Sequence, residues 1–226
     1  ADFGPTLGRP VGASGEQTRR RILAATMRCV AEVGYAQATI REIARMADVT
    51  SASLYNYFPN KAELIKATLR ARADASIPRL REAAHGPGSA TDRIEAVLDE
   101  CGDLLRTYPQ LAAFEWAIRA EVVDPAIREV ALGPGGDDTT ASFGRFREIL
   151  RSLVEEACLN GELLGGDTDS EAALEAIYAL IYGLTELAAV LPPHEYHAAL
   201  SASKVMVRGE LFGPVNDQSR RAGSRT

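Results

Sequence analysis

A short run of hydroxyl and amide side chains stands between Thr50 and Pro59. It reads SASLYNY from residue 51 and contains no acidic residue. If Leu54 and Phe58 form the buried side of a helix, its opposite side presents small and hydrogen-bonding groups. Such a surface can approach the edges of nucleic-acid bases, because small side chains leave room while amides and hydroxyls form hydrogen bonds. The pattern predicts a helix that reads base pairs in a major groove.

Two further helices are predicted to hold this reading helix in place. Thr39 and Glu42 have the spacing of a capping box, so a short helix is expected to begin there. Asn60 and Glu63 have the same spacing before the helix that follows, and Lys61 stands in its first turn. The segment therefore predicts two short helices joined by a tight turn, followed by a third helix whose lysine can contact phosphate.

The alternative is a buried helical hairpin with incidental polar residues. Tyr55 and Tyr57 are two residues apart and therefore lie about 200° apart around a helix. They cannot both share one buried face with Leu54 and Phe58. We therefore favour the nucleic-acid interpretation.

Over residues 39–61 the chain resembles the TetR family of one-component transcriptional repressors. Positions shared with the pattern around the family's recognition helix are Thr39, Ile40, Ile43, Ala44, Ala47, Val49, Leu54, Tyr55, Tyr57, Phe58 and Lys61, with Thr50 in place of the usual serine. The chain departs at Asp48 and Ala52, where the family usually has glycine. Aspartate tolerates a left-handed backbone better than most residues, so the turn is expected to survive. Ala52 adds one methyl group on the side that would face DNA.

The resemblance implies an all-α fold with an N-terminal three-helix helix-turn-helix DNA-binding domain joined to a larger helical ligand-binding and dimerisation domain. The residues expected to contact DNA are Thr39, Arg41, Thr50, Ser51, Ala52, Ser53, Tyr55, Asn56, Tyr57 and Lys61. Ser51 and Asn56 are the candidates for base contacts, although phosphate is the alternative partner of Asn56. Lys61 is the candidate for phosphate contact.

Helical periodicity and turn signals divide the chain into four predicted parts. These are a disordered arm over 1–15, the DNA-binding domain over 16–75, the effector-binding and dimerisation domain over 76–212, and a disordered tail over 213–226. Helices are expected at roughly 16–33, 61–84, 92–108, 110–121, 141–159, 171–191 and 193–211. A short helix after Asp124 and a loop over 133–140 complete the prediction. Ser14 offers a cap for the first helix and Gly34 its end.

The charge is divided unevenly along the 226 residues. Residues 1–70 contain ten Arg or Lys and six Asp or Glu, a net charge of +4, whereas the whole chain carries −6. The rest of the chain therefore carries −10. A basic N-terminal part on an acidic body suits a protein that contacts phosphate at one end. Arg19, Arg20 and Arg21 form a basic cluster, for which a solvated face and a phosphate-facing role are both open.

The helix predicted over 171–190 is apolar on nearly all sides. Leu174, Ile177, Ile181, Leu184 and Ala188 form one stripe, and a second stripe beside it consists of the small residues Ala176, Ala179 and Gly183. A helix that is apolar all round must be covered on more than one face. The resemblance implies a homodimer through a four-helix bundle of the last two helices. A core helix buried within one subunit is the alternative.

Aromatic residues and two unusual charges mark a candidate ligand site in the body. We expect a mostly apolar cavity walled by the helices around 92–122, 141–159 and 171–190. The candidate ligand-binding residues are Tyr108, Trp116, Arg119, Phe146, Tyr178, Tyr182 and Glu186. For each aromatic the alternative is ordinary core packing. Arg119 has a local ion-pair partner in Glu115, four residues before it. For Glu186 three interpretations stay open: contact with a ligand, a pair across the dimer, or a position at a solvated edge.

Several function classes lack their sequence signals. There is no motif of a serine hydrolase, phosphate-binding loop or zinc protease, so no enzyme and no cofactor are predicted. His194 and His197 have metal-ligand spacing, but no third ligand is in view, so no metal site is predicted. The three cysteines are far apart and fit reduced thiols of a cytoplasmic protein. Neither a signal peptide nor a membrane span is evident.

These observations predict a ligand-responsive repressor that binds a palindromic DNA operator as a dimer and is released by a small, mostly hydrophobic effector. A DNA-binding activator or a ligand-blind DNA-binding protein is the first alternative. An all-α enzyme or ligand carrier that keeps the helix-turn-helix as scaffold is a remote one.

Overall fold

The computed structural model of the chain describes residues 11–120, 142–163 and 169–212. In these three ranges the regular elements are nine α-helices, and no strand occurs. They are α1 (Val11–Gln37), α2 (Ile40–Met46), α3 (Ser51–Tyr57), α4 (Lys61–Ala84), α5 (Ala90–Thr107), α6 (Leu111–Ala120), α7 (Ser142–Leu159), α8 (Ser170–Val190) and α9 (Pro193–Val207). The all-α prediction is confirmed.

The first helix is longer than predicted. It begins at Val11, so residues 11–15 belong to the helix and not to a disordered arm. Ser14 is not its cap, because it lies inside the helix, three residues after Val11. Gly34 interrupts the helical backbone with φ of 79°, the left-handed region that glycine adopts most easily. The regular helix therefore breaks at Gly34, where its end was predicted, and a short helical segment continues to Gln37.

Side-chain caps define the short helices as the sequence predicted. The Thr39 hydroxyl accepts from the Glu42 backbone N–H at 3.2 Å, and the Thr50 hydroxyl accepts from the Ser53 N–H at 3.0 Å. Asp48 takes φ of 55° in the turn between α2 and α3. Its short polar side chain tolerates this conformation, which explains how the turn forms without the usual glycine.

Two hydrophobic cores stabilise the molecule. The head, formed by α1, α2, α3 and the first half of α4, buries Ile22, Ile43, Leu54 and Leu64 completely. The body packs the second half of α4 against α5 and α7, with α8 and α9 joining them. Helix α6 belongs to both parts, because it packs along α1 and also against α8.

The last helix is shorter than predicted, ending at Val207 instead of near 211. Gly209 has φ of 76°, its N–H donates to the Met206 carbonyl, and the Glu210 N–H donates to the Val205 carbonyl. This double hydrogen bond is a Schellman motif, which ends a helix at a left-handed glycine. The predicted short helix after Asp124, the loop over 133–140 and the tail over 213–226 lie outside the described residues, as does the arm over 1–10.

Helix α8 is apolar along its length but only partly buried in the subunit, where Ala176, Ala179 and Val190 are exposed. It is long and apolar enough to cross a membrane by length and composition alone, but only 17% of its most apolar window is buried. A core helix of a protein assembly passes the same test of length and composition. Exposed apolar surface of this kind is typical of an interaction surface.

Candidate nucleic-acid interface and internal cavity

Helix α3 has two different faces. Leu54 is completely buried and Phe58 is 4% exposed, so this side belongs to the head core. On the other side Ala52, Tyr55 and Asn56 are exposed. The helix is thus anchored by its apolar side and presents small and hydrogen-bonding groups outward, as the sequence predicted.

The flanks of this face add further polar groups. Thr39, Arg41 and Thr50 are exposed, while Ser51 and Ser53 are half-buried. The hydroxyls of both threonines already accept N–H bonds as helix caps. Since a hydroxyl can donate while it accepts, each cap keeps one O–H for a phosphate oxygen.

The start of α1 lies beside the end of α3. The Tyr57 hydroxyl lies near Gly15, 3.8 Å from where a β-carbon on that glycine would stand, and the Tyr57 ring packs against the head core. The Arg19 guanidinium lies 5.4 Å from the centre of the Phe58 ring. This contact brings one member of the basic cluster next to the reading helix. Arg19 and Phe58 are 39 residues apart in sequence, so local spacing could not predict that they are neighbours.

Lys61 has a partner that the sequence did not predict. Its ammonium group donates to the Tyr35 carbonyl, lies 3.5 Å from the Ala36 carbonyl, and stands 4.1 Å from the centre of the Tyr35 ring. These carbonyls lie at the C-terminal end of α1, where the helix dipole favours a positive charge. Lys61 therefore joins α4 to the end of α1, and any contact with DNA would come from this same position.

We expect Lys61→Ala to weaken binding to specific and random DNA alike and to lower the salt slope by about one unit. The free energy of unfolding should also fall, by about 1 kcal/mol, because the end of α1 loses its cation. Lys66→Ala is the control, since Lys66 pairs with Glu63 at 3.7 Å on the same helix. Fluorescence anisotropy at several salt concentrations gives the first result and urea unfolding the second. If only the stability changed, Lys61 would be a helix cap and not a phosphate contact.

An internal cavity of about 50 Å³ lies in the body. It is walled by α4, α5, α6, α7 and α8, and its lining residues are Arg72, Ser76, Ile77, Leu80, Cys101, Leu104, Leu105, Leu111, Glu115, Arg119, Phe146, Ile181 and Thr185. Three of the predicted walls are therefore present. Helix α4, which leads from the head, is a further wall that the sequence did not predict.

A cluster of three charges lies against this cavity. The Arg72 guanidinium on α4 donates to the Glu115 carboxylate on α6. Arg119 lies 3.5 Å from the same carboxylate and 4.4 Å from the centre of the Tyr182 ring. The local pairing of Arg119 with Glu115 is thus confirmed. Arg72 was missed because it is 43 residues from Glu115 in sequence.

The structure separates the remaining candidate ligand residues. Phe146 lines the internal cavity with Arg119, whereas Tyr108 lines a different cleft near the head. The Tyr178 ring packs under the Arg147 guanidinium at 5.4 Å, Tyr182 lies under Arg119, and Glu186 is exposed. Only two of the seven candidates therefore line this cavity.

Trp116, predicted to lie on or near the cavity lining, is not among the residues that line the internal cavity. The side chain is 43% exposed and faces a shallow hollow beside Val30, Tyr35 and Val190. Glu115 and Arg119 are one turn apart on α6 and point to the cavity. Trp116 is about 100° further round the helix and therefore points elsewhere.

Cys101 lines the cavity but is not a reactive thiol. Burial, followed by the nearby Glu115 and Glu100 carboxylates, raises the pKa of the Cys101 thiol to about 12. The thiol therefore stays protonated at neutral pH, and nucleophilic or redox chemistry needs the thiolate.

Residues 22–68 match the family model described as bacterial regulatory proteins, tetR family. The match covers most of α1, all of α2 and α3, and the start of α4, which together form the surface described above. Over these residues the chain has the N-terminal region of a TetR-family regulator. The arrangement of α2 and α3 is the helix-turn-helix that the sequence pattern had indicated.

Curated relatives agree with this assignment. The HTH-type transcriptional regulator BetI of Escherichia coli is 39% identical over 85 residues, which are 36% of this chain and 43% of BetI. The chain thus spans less than half of BetI. The HTH-type transcriptional regulator SrpR of Pseudomonas putida is 26% identical over 170 residues, 66% of this chain and 79% of SrpR. These TetR-family relatives are named as regulators and not as enzymes.

Solved structures show that the whole fold is TetR-like. The transcriptional regulator FadR from Bacillus subtilis, in complex with stearoyl-CoA, aligns with a TM-score of 0.70 at 19% identity, over 86% of this chain and 98% of FadR. AibR, in complex with isovaleryl coenzyme A and operator DNA, aligns with a TM-score of 0.66 at 16% identity, over 84% of this chain and 97% of AibR. At these identities the likeness concerns the fold alone.

Proposed function

We propose that this chain is a ligand-responsive transcriptional repressor that binds a palindromic operator as a homodimer. The observation that carries the proposal is the two-faced helix α3, buried through Leu54 and exposed through Ala52, Tyr55 and Asn56. AibR, which shares the fold, is described in complex with operator DNA and a ligand. A stable helix with a polar outward face fits a major groove, because its amides and hydroxyls reach base edges.

Asn56 is the residue we expect to set operator preference. An operator is first selected from random duplexes with the full chain. Asn56→Ala should then weaken binding to that operator by about 1–3 kcal/mol while leaving binding to random DNA unchanged. Asn160→Ala, which removes an exposed amide after α7, is the matched control. Equal losses on the operator and on random DNA would assign Asn56 to phosphate instead of a base.

Dimerisation through α8 and α9 is the second part of the proposal. Leu174, Ile181 and Leu184 of α8 are buried in the body core, so the first predicted stripe faces inward. The small residues Ala176 and Ala179 are exposed on the other side. Met206 on α9 is 44% exposed as well. A second copy of the same surface would bury these residues in an isologous helix bundle.

Helix α6 provides a physical route from the cavity to the head. Phe114 and Ile118 on one side of α6 are completely buried in the head core. Glu115 and Arg119 on the adjacent side line the cavity. Since α6 packs along α1, a ligand that displaces α6 also displaces the head.

This coupling explains how an effector would release DNA. Two recognition helices must be about one turn of DNA apart, on the order of 34–36 Å, to occupy successive major grooves. An effector that binds better to a body conformation with another spacing lowers operator affinity by the ratio of its affinities for the two states. The lining of the cavity is apolar apart from a charged cluster and a few polar groups, which suits a mostly hydrophobic effector with one or two polar groups. Because the cavity measures only about 50 Å³, such an effector would bind the conformation in which it is enlarged.

A further inference from the structure

A second and larger hollow lies between the head and the body. It is a cleft of about 290 Å³ whose walls are α1 from the head, α4, and the segment from the end of α5 to the start of α6. We call it the junction cleft. Its volume is close to the lower end of the range for small-molecule sites, roughly 300–1,000 Å³. The internal cavity of about 50 Å³ holds only about four water molecules by comparison.

The junction cleft and the internal cavity share one wall. Arg72, Ser76, Leu104 and Leu111 line both the junction cleft and the internal cavity. Arg72 is the charged member of this wall, and its side chain is 14% exposed. Its guanidinium donates to Glu115 on the cavity side. A ligand in the junction cleft would therefore touch the Arg72 side chain, which ties α4 to α6.

The lining of the junction cleft selects a chemical class. Most of it is apolar, with Leu23, Ala24, Met27 and Ala75 among its residues. Among the described residues that line it, the charged ones are Arg20 and Arg72, and none is acidic. Arg20 is at the solvent edge, with its side chain 77% exposed and paired with Glu16. Arg72 is therefore the only one of the two arginines that lies deep in the lining.

We propose that the junction cleft binds a small apolar carboxylate, with the carboxylate on Arg72 and the hydrocarbon part against the alanine and leucine side chains. An arginine has five N–H donors in a planar fork, so it can hold a ligand carboxylate beside or in place of Glu115. Apolar walls favour the hydrocarbon part by removing it from water. A ligand with a positive head group would find only N–H donors on Arg72 and should bind less well than a carboxylate.

Such a ligand would act on the head directly. It would fill the space between α1 and the end of α5, and it would compete for the bond between Arg72 and Glu115. Both effects change the position of the head relative to the body. This regulatory consequence rests on the proposed function, whereas the binding itself does not.

The binding test uses three probes of equal chain length and different head group: octanoate, octanol and octylammonium. Isothermal titration calorimetry with the full chain should give octanoate the lowest Kd, octanol one at least about tenfold higher, and octylammonium no saturable binding. Ala75→Phe should raise the octanoate Kd at least about tenfold, because the larger side chain fills the cleft. Ala75 is exposed, so the substitution leaves the core unchanged.

Two variants control this test. Glu82→Phe places the same exposed aromatic on α4 outside the cleft and should bind octanoate like the wild type. Arg72→Lys keeps the positive charge but removes the planar guanidinium that can bind a carboxylate through two N–H groups. It should raise the Kd for octanoate without changing the Kd for octanol. Equal affinity of the wild type and Ala75→Phe, or no octanoate binding by the wild type, would overturn the proposed site.

The regulatory consequence is tested separately with the selected operator. Octanoate should weaken operator binding by the wild type and by Glu82→Phe, but not by Ala75→Phe. If octanoate released DNA equally from all three proteins, the regulatory role of the cleft would be refuted while the proposed repressor function stood. If the chain bound no operator at all, the proposed function would fail, and the calorimetry would still decide whether the cleft is a carboxylate site.

Discussion

Gly183→Glu is expected to convert the protein to a monomer that no longer holds its operator. In the single subunit a β-carbon at Gly183 meets no atom within 4 Å, so the subunit itself has room for a side chain. Between two copies the same side chain would bury an unpaired carboxylate, at a cost of about 3–5 kcal/mol. The dimer dissociation constant should therefore rise roughly a hundredfold to several thousandfold.

Loss of the dimer should abolish operator binding, because one head contacts only half of a palindrome. Sedimentation velocity at micromolar concentration gives the assembly state, and circular dichroism checks that the helices remain. Asn160→Glu, which adds the same charge at an exposed position after α7, should stay dimeric. A wild-type protein that sediments as a monomer, or a Gly183→Glu variant that stays dimeric, would contradict the interface proposed for α8 and α9.

Phe114→Ala is expected to lower the free energy of unfolding by about 3–5 kcal/mol, the usual cost of removing a buried phenylalanine ring. The Phe114 side chain is completely buried. It belongs to α6, which also packs on the body. The cavity would open in the head core between α6 and α1. Operator binding should weaken too, because the head would lose its fixed position on the body.

Urea unfolding followed by the fluorescence of Trp116, the single tryptophan, measures this loss. Leu159→Ala is the control, since the Leu159 side chain is 88% exposed and its removal should change stability by less than about 0.5 kcal/mol. A loss below about 1 kcal/mol for Phe114→Ala would mean that the head does not depend on α6. The coupling route through α6 would then be wrong.

The reading helix was predictable because its signals are local. Thr39, Thr50 and Asn60 each cap a helix by accepting an N–H bond from a residue three positions on. Leu54 and Phe58 are one turn apart, so periodicity alone assigned them to one buried side. Spacing within a few residues decides both features, and the same spacing carried the family resemblance.

The candidate ligand site was only partly predictable. Periodicity indicated which helices are amphipathic, but it did not say which neighbour each face meets. Trp116 was assigned to the cavity because it stands among aromatic residues, yet α6 turns Phe114 to the head and Glu115 to the cavity. Helix boundaries also shifted where a turn depended on a single glycine, as at Gly209.

The sequence by itself determined the helix-turn-helix, the helical body and the outward polar face of α3, since caps, periodicity and composition act over one or two turns. Tertiary structure alone decided that Lys61 closes the end of α1, that Arg72 pairs with Glu115, and that α4 walls both hollows. These pairs are 26 and 43 residues apart in sequence. No local spacing specifies such a contact, because it depends on how whole helices pack and on the angle at which they cross.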